Sequence, residues 1–282
     1  MSNDYKIGAL IVTYNPDFDL LKHNINSIKH QVEIVRIVDN GSKNVPGIME
    51  LKNSGLCDVI INPKNEGLAK ALNQGFDSLI NDGCNWIITL DQDTSCPNGM
   101  VDSFKQFTKD DVGIICPAVF YKGINYKMES NLRYEEIEAC MTSANMVRVE
   151  AWKRVKGFNE AYFIDYIDND FCMKLRLAGY RIIRDWTKYI THELGSGKEY
   201  HFGKKVIIKT IHSPIRYYYM TRNNLYFIRR YKKHINIVKE YIKLVYVIGR
   251  ELPFTDNKIA SLHYTIKGIK DYRNDKNGEI EE

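Results

Sequence analysis

The chain has 282 residues, 40 Lys and Arg against 35 Asp and Glu, a formal net charge of +5 at pH 7 and 44% hydrophobic residues. That length and balance suit one large α/β domain, or one domain with an extension, and exclude a disordered chain apart from the extreme C-terminus. No window approaches the roughly 18 consecutive apolar residues of a membrane span, the N-terminus MSNDYKIGALIVTYNP lacks the basic region and long apolar core of a signal peptide, and Cys57, Cys84, Cys96, Cys116, Cys140 and Cys172 form no C-x-x-C pair. Such cysteines fit reduced thiols in a cytosolic compartment, not a disulfide framework or a zinc site.

Ile7 to Thr13 (IGALIVT) reads as a first strand, and Pro16 to His30 as a helix begun by Asn15 and Pro16. Ile34 to Val38 is a second strand, ending at Asp39-Asn40-Gly41-Ser42. Val59 to Asn62 is a third, followed by a helix over Leu68 to Asn81, and Trp86 to Leu90 is a fourth. Gly113 to Phe120 and Met141 to Val147 continue the strand series, and Phe171 to Ala178 reads as a short helix. This βαβ rhythm predicts a mainly parallel sheet covered on both faces. From Lys198 to Arg250 the chain carries 13 Lys and Arg against only Glu199 and Glu240, so the remainder is net acidic. A basic, aromatic-rich segment of that kind points to an anionic partner, either nucleic acid or anionic lipid.

The fourth strand runs into Thr89-Leu90-Asp91-Gln92-Asp93-Thr94-Ser95. Strand side chains alternate with period two, so Asp91 and Asp93 would leave the chain on the same side, where two like charges repel unless a cation or proton lies between them. Hard oxygen ligands at a strand end suit Mg²⁺ or Mn²⁺, and Mg²⁺ is commonly held by one or two carboxylates plus substrate phosphates. The alternative is a polar turn, which Asp, Ser and Pro97 favour. Ligands of open α/β sheets bind beyond the carboxyl ends of strands. Thr13-Tyr14-Asn15, Asp39 to Ser42, Asn65-Glu66-Gly67 and Asp91 to Asp93 would all lie on that rim. The chain has no G-x-G-x-x-G after its first strand and no G-x-x-x-x-G-K-[ST], which argues against a dinucleotide dehydrogenase and a P-loop.

Taken in order, IVTYNP, IVDNGS, NPKNEGLAKALNQG, LDQD, GFNEAYFIDYIDNDFCMKLRLAGY and THELG resemble the family 2 inverting glycosyltransferases, and within them the bacterial rhamnosyltransferases of cell-surface polysaccharide assembly. The likeness runs from about Ile7 to Gly195, with a weaker echo in YYYMTRNNLYFIRRY. It implies a GT-A fold, a Rossmann-like α/β architecture with a mainly parallel central sheet and helices on both faces. On this division residues 1–205 form the catalytic domain, with a nucleotide-sugar part to about 95 and an acceptor part from 96, and residues 206–282 form a basic helical extension.

The resemblance assigns roles. Thr13, Tyr14, Asn15 and Asp39 hold the nucleoside, with Asp39 accepting from the pyrimidine ring N–H. Asn65 and Gly67 let the chain approach ribose and diphosphate closely, Gly because it lacks a Cβ. Asp91 and Asp93 bracket the Mn²⁺ or Mg²⁺, Asp93 as the more direct ligand, Gln92 counts among the donor-binding residues, and His192 in THELG matches a histidine that serves as a further metal or diphosphate ligand. Where many members carry a Glu-Asp pair, this chain has Ile167 and Asp168. Asp168 is then the general base that takes the acceptor hydroxyl proton, and Asp165 competes with it. Asp170 is expected to cap the helix near Phe171. Arg222 and its neighbours are candidates to contact diphosphate oxygens of donor or acceptor. Trp152 and Gly157-Phe158 read as packing and a turn that positions the acceptor loop.

From about Ile215 to Tyr246, Tyr, Phe, Ile and Leu mix with Arg and Lys at helical spacing. Two readings stay open: helices packed on the sheet domain with a solvated basic face, or interfacial binding to a membrane. Nucleic acid is disfavoured, since no recognised binding fold accompanies the basic stretch. The expectation is a metal-dependent inverting transferase moving L-rhamnose from dTDP-β-L-rhamnose to a glycan or polyprenyl-diphosphate-linked acceptor, at the cytoplasmic face of the membrane. Its rivals are the same fold with a UDP-sugar donor, a nucleotidyltransferase and a membrane-associated scaffold with a degenerate site. A homo-oligomer is compatible with each.

Overall fold

The computed structural model describes residues 5–121, 132–192, 197–202, 205–210 and 212–281. The chain divides into two compact units, one of residues 1–160 and 167–192, the other of residues 161–166 and 193–282. The boundary falls at 192 and 193, where the sequence reading placed it at 205.

The first unit is built on an eight-stranded sheet. Its strands are β1 (Ile7–Thr13), β2 (Ile34–Asp39), β3 (Asp58–Ile61), β4 (Trp86–Asp91), β5 (Val112–Tyr121), β6 (Tyr134–Ile137), β7 (Asn145–Arg148) and β8 (Arg181–His192), in the order β3-β2-β1-β4-β7-β5-β8-β6. β3, β2, β1 and β4 run parallel, as do β5 and β8. β7 is antiparallel to both neighbours, and β6 is antiparallel to β8. The helices are α1 (Phe18–Ile28), α2 (Val45–Asn53), α3 (Leu68–Asn81), α4 (Met100–Lys105), α5 (Val149–Arg154) and α6 (Ile167–Leu177).

Burial explains the pattern. Ile7, Ala9 and Ile11 of β1, with Trp86, Ile88 and Leu90 of β4, share one core with Leu21, Ile25 and Ile28 of α1. The α1 residues are spaced four and three apart, one stripe of a helix, and each such side chain contributes about 1.5–3 kcal/mol by leaving water. The parallel strands are apolar on both faces, so β1 is buried almost throughout.

Three local expectations are corrected. α1 begins at Phe18, because the Asp17 side chain accepts from the N–H groups of Asp19 and Leu20, while Asn15 adopts a left-handed φ of 47°. Of the segment 141–147 only Asn145 onward is strand, because Ala144, at φ 59°, turns the chain first. α6 begins at Ile167, four residues before Phe171, so Asp168 and Asp170 lie in its first turn and Asp170 does not cap it from outside.

The second unit contains the hairpin of β9 (Gly197–Phe202) and β10 (Lys205–Thr210) and three helices, α7 (Pro214–Tyr231), α8 (Ile237–Glu251) and α9 (Lys258–Arg273). α7 carries the aromatic sequence YYYMTRNNLYF with most of its residues buried. α9 turns Ser261, Thr265, Gly268 and Asp271 inward, spaced four, three and three apart. A Cβ on Gly268 would stand 2.7 Å from the Tyr218 carbonyl oxygen of α7, so only glycine permits this helix contact. Gly268→Ala should therefore force the helices apart and lower stability by about 1–3 kcal/mol, read as a shift of the urea midpoint in equilibrium unfolding.

Candidate active site

Strand register gathers the candidate residues of the first unit on one rim. Thr13 pairs with Asp39, and Val12 with Asp91, so three strand ends lie side by side. Asp39 is fully buried. Its Oδ1 accepts from Thr13 Oγ1 (2.9 Å) and Ser42 Oγ, and its Oδ2 accepts from the Ser42 N–H (3.0 Å). A carboxylate oxygen has two lone pairs, so Oδ2 retains acceptor capacity for a ligand N–H. Ser42 Oγ also accepts from the Asn15 N–H (2.7 Å), and Asn15 Oδ1 accepts from the Lys43 N–H (2.9 Å).

The Asn40 amide continues the network. Its Nδ2 donates to Asn65 Oδ1 (2.9 Å), while its Oδ1 accepts from the Glu66 N–H (3.0 Å) and Asn62 Nδ2 (3.2 Å). Asn65 Oδ1 accepts in turn from the Gly67 N–H at 3.0 Å. Gly41, at φ 83°, lies so near the next loop that a Cβ would stand 2.4 Å from the Lys64 carbonyl carbon. Gly67 precedes α3 at φ 86° and brings no side chain to cover the N–H groups of its first turn. Such a helix end favours an anion.

At the end of β4, Asp91 is half-buried and Asp93 exposed. The Asp91 N–H donates to Ser143 Oγ (3.1 Å), which also bonds Thr94 Oγ1 (2.7 Å), and the Asp91 carbonyl accepts from Asn24 Nδ2 (2.7 Å). Gln92 Oε1 accepts from the Tyr14 N–H (2.9 Å), joining β1 to the DQD turn. Among the described residues no three His, Cys, Asp or Glu side chains form a metal cage. Asp91 ends β4 and Asp93 lies in the turn beyond it, so strand alternation does not set the two side chains on one side as expected; carboxylates at both positions still suit Mn²⁺ or Mg²⁺, since such an ion takes its remaining oxygens from water and phosphate. His192 ends β8, where its backbone pairs with Tyr121; its side chain lies outside the described residues.

Beyond Ser143 opens a cavity of about 430 Å³, whose wall includes Asp168, Asn169, Phe120, Arg184, Trp186 and Ser143. Asp168 Oδ1 accepts from the Asn169 N–H at 2.8 Å. Asp170 is fully buried, 3.9 Å from Lys174. Cys116 and Cys140 also line the cavity, and Cys140 Sγ lies 3.9 Å from Cys172 Sγ. Hydrogen bonding to Cys116 and Cys172, then burial, pushes the Cys140 thiol well above its usual range. Burial likewise pushes Cys96 up to about 12, and Cys57 and Cys84 to about 11.

Two expected site residues belong to the second unit. Asp165 takes a two-pronged contact from Arg216, with Nη2 to Oδ1 at 2.8 Å and Nε to Oδ2 at 3.1 Å. Arg222 is fully buried, against the expectation of a diphosphate contact. Its Nη1 donates to Tyr218 Oη (3.0 Å), its Nε to Asn223 Oδ1 (3.0 Å) and its Nη2 to the Gly278 carbonyl (2.9 Å), with its guanidinium 4.9 Å from the Tyr218 ring centre. Reaching a phosphate would require this network to open, which makes Arg222 a packing residue here. Asn223 Nδ2 donates to the carbonyls of Ile164 (2.6 Å) and Asp165 (3.2 Å), and Asn224 Nδ2 to Tyr166 Oη. These bonds hold Asp165 and Tyr166 at φ 64° and 65°. Trp152, as expected, packs, stacked on Phe76 at 5.1 Å.

Sequence reasoning did not single out Ser143 or Trp186, read Asn62 only as a strand end and placed Asn223 only beside Arg222 as part of a diphosphate contact. Ser143 was absorbed into an expected strand, and the contacts of the others join residues far apart in the chain.

A rim of strand-end carboxylates over a mainly parallel sheet, with a cavity walled in part by Asp168 beside it, is the arrangement of a glycosyltransferase of the GT-A fold. Glycosyl transferase family 2 matches residues 9–174, and the chain belongs to that family. It is 28% identical over 259 residues, 85% of each chain, to the dTDP-rhamnosyl transferase RfbF of Shigella flexneri. Among solved structures it resembles S. aureus TarS 1–349 in complex with UDP-GlcNAc, at TM-score 0.59 and 16% identity over 96% of this chain and 81% of that one. It also resembles the mannosyltransferase PcManGT of Pyrobaculum calidifontis in complex with GDP-Man and Mn²⁺, at TM-score 0.58 and 11% identity over 99% and 77%.

Two outcomes follow from the geometry. Gly41→Ala adds a left-handed strain and a backbone overlap and should lower stability by at least about 2 kcal/mol in chemical denaturation. At mildly alkaline pH Cys57, Cys84, Cys96 and Cys140 should resist alkylation in the native protein, because a raised pKa keeps them as thiols, and should react once urea unfolds it; mass spectrometry counts the labels.

Proposed function

We propose that this enzyme transfers L-rhamnose from dTDP-β-L-rhamnose to a hydroxyl of a lipid-linked glycan, with inversion and in one displacement. The observation that carries the donor is the likeness, along 85% of both chains, to a protein named a dTDP-rhamnosyl transferase.

Asp39 Oδ2 accepts the N–H of thymine, while Thr13 and Ser42 fix the carboxylate so that little ordering is left for the ligand to impose. Asn65 and Gly67 leave the first-turn N–H groups of α3 open toward phosphate. Asp91 and Asp93, with His192 as a further ligand, would hold a divalent ion, which when bound would neutralise the charge that grows on the departing diphosphate. Gln92 keeps that turn on the β1 end through Tyr14. The acceptor glycan enters the cavity of Asp168 and Trp186, where an aromatic face and polar side chains suit a sugar. Asp168 takes the hydroxyl proton as the oxygen attacks the anomeric carbon. Asp165 is the weaker candidate for base, since its carboxylate already engages Arg216. Inversion needs one base and no covalent intermediate.

A UDP-sugar donor is the second reading. Uracil and thymine present the same ring N–H, so Asp39 serves both.

Calorimetry should show metal-dependent binding of dTDP-rhamnose in preference to UDP-glucose, UDP-N-acetylglucosamine and UDP-galactose, lost in Asp93→Asn; preference for a UDP-sugar would overturn the rhamnosyl assignment. Asp168→Asn should keep donor affinity within about twofold while transfer falls by about 10²–10⁴. Equal loss of binding and transfer would remove Asp168 from the role of base, and a collapse of transfer in Asp165→Asn alone would give it to Asp165.

A further inference from the structure

α8 has no buried residue, although its sequence is strongly amphipathic. Val238, Tyr241, Ile242, Val245 and Tyr246 recur at the spacing of one helical stripe and are 66, 43, 63, 71 and 61% exposed. Leu244, Val247 and Ile248 are half-buried and continue from the Tyr241 edge of that stripe round the helix. The stripe that ordinarily meets a core here meets solvent. At about 100° per residue, Lys239, Lys243 and Arg250 fall in the sector bordering that stripe. Lys243 lies 3.8 Å from Glu240, and Arg250 donates to Glu251 at 3.3 Å with its guanidinium 5.6 Å from the Tyr246 ring centre, all on the same helix. Lys232 and Lys233 are exposed just before the helix. From Arg229 to Glu251 seven Lys and Arg stand against two Glu.

α9 repeats the arrangement in a shorter form. Ile259, Leu262 and Ile266 are 85, 48 and 57% exposed, with exposed Lys270 and Arg273 beside them. No helix among the described residues is long and apolar enough to cross a membrane.

We propose that α8 is an interfacial helix that docks this chain on a bilayer bearing anionic lipid. Its 15 residues, roughly 22 Å of helix, lay an apolar stripe into the acyl boundary with the two tyrosines at headgroup level, while the flanking cations meet lipid phosphates. A second copy of the chain is a poorer occupant, because a two-fold contact would set identical cationic borders against one another. The docking deepens the lipid-linked acceptor of the proposed function and rests on that part of it alone. It is read without any transfer assay, so either can fail independently.

The full-length protein is sedimented with vesicles of phosphatidylcholine alone and of phosphatidylcholine mixed with phosphatidylglycerol. Binding should need the anionic lipid and weaken with salt. Lys239→Glu/Lys243→Glu should reduce it at least about tenfold, as should Ile242→Glu/Val245→Glu. Both variants replace exposed side chains and should keep the wild-type circular dichroism and thermal midpoint. Absence of vesicle binding, equal binding to neutral vesicles, or binding unchanged in both variants would overturn the proposal. So would a lipid-free dimer in light scattering that the apolar-face variant dissolves, which would give the face to a second copy. Nucleotide calorimetry on the same samples reports separately on the donor site.

Discussion

Burying Asp39 is the constraint around which the strand-end rim of the first unit is arranged. A carboxylate taken fully out of water is costly unless its lone pairs are met. Here Thr13 from β1 and Ser42 from the following loop supply the donors, while Asn15 is tied to the same Ser42. One charged group thus dictates the end of β1, the end of β2 and the path of the loop between β2 and α2. From there the Asn40 amide passes the constraint on to the loop before α3. The rim is fixed by its own short side chains, which leave little room to rearrange.

A second polar knot shapes the other side. Asp165 and Tyr166 both occupy left-handed backbone, which costs a non-glycine residue about 1–2 kcal/mol. Asn223 and Asn224 of α7 meet that cost with amide hydrogen bonds, and Arg216 grips the Asp165 carboxylate. The basic, aromatic segment that drew attention by its charge is therefore two things. α7 is a buried clamp on the loop that leads directly into Asp168, and α8 is an exposed amphipathic helix.

Legibility in the sequence followed locality. α3 was readable to both ends, since Gly67 precedes it and Ala69, Leu72, Phe76 and Leu79 repeat on one face. β1 was equally plain as an uninterrupted apolar run, and placing Thr13, Asp39 and Asp91 on a common rim required only that strands alternate with helices. The start of α6 was not readable: Ile167-Asp168-Asn169-Asp170 has one apolar residue and no periodicity, although Ile167 and Asp170 are both buried in the fold. The reversal of β7 was hidden because Ala144 makes a turn with a residue that rarely makes one. Arg222 looked like a surface cation, and the groups that enclose it, the Ala161 and Gly278 carbonyls and the Tyr218 ring, lie 61, 56 and 4 residues away.

The placement of residues 161–166 with the second unit has a consequence for how such a protein can change over time. The chain crosses between the units three times, after 160, after 166 and after 192. A tail attached once can be swapped, shortened or lost while the remainder keeps its shape. A tail whose first helix also supplies the hydrogen bonds of an earlier loop cannot be exchanged as a module, because any replacement must bring its own equivalents of Arg216, Asn223 and Asn224. Recombination after β8 should accordingly be far less tolerated than the linear order of the two units suggests, and the two units inherit their changes together.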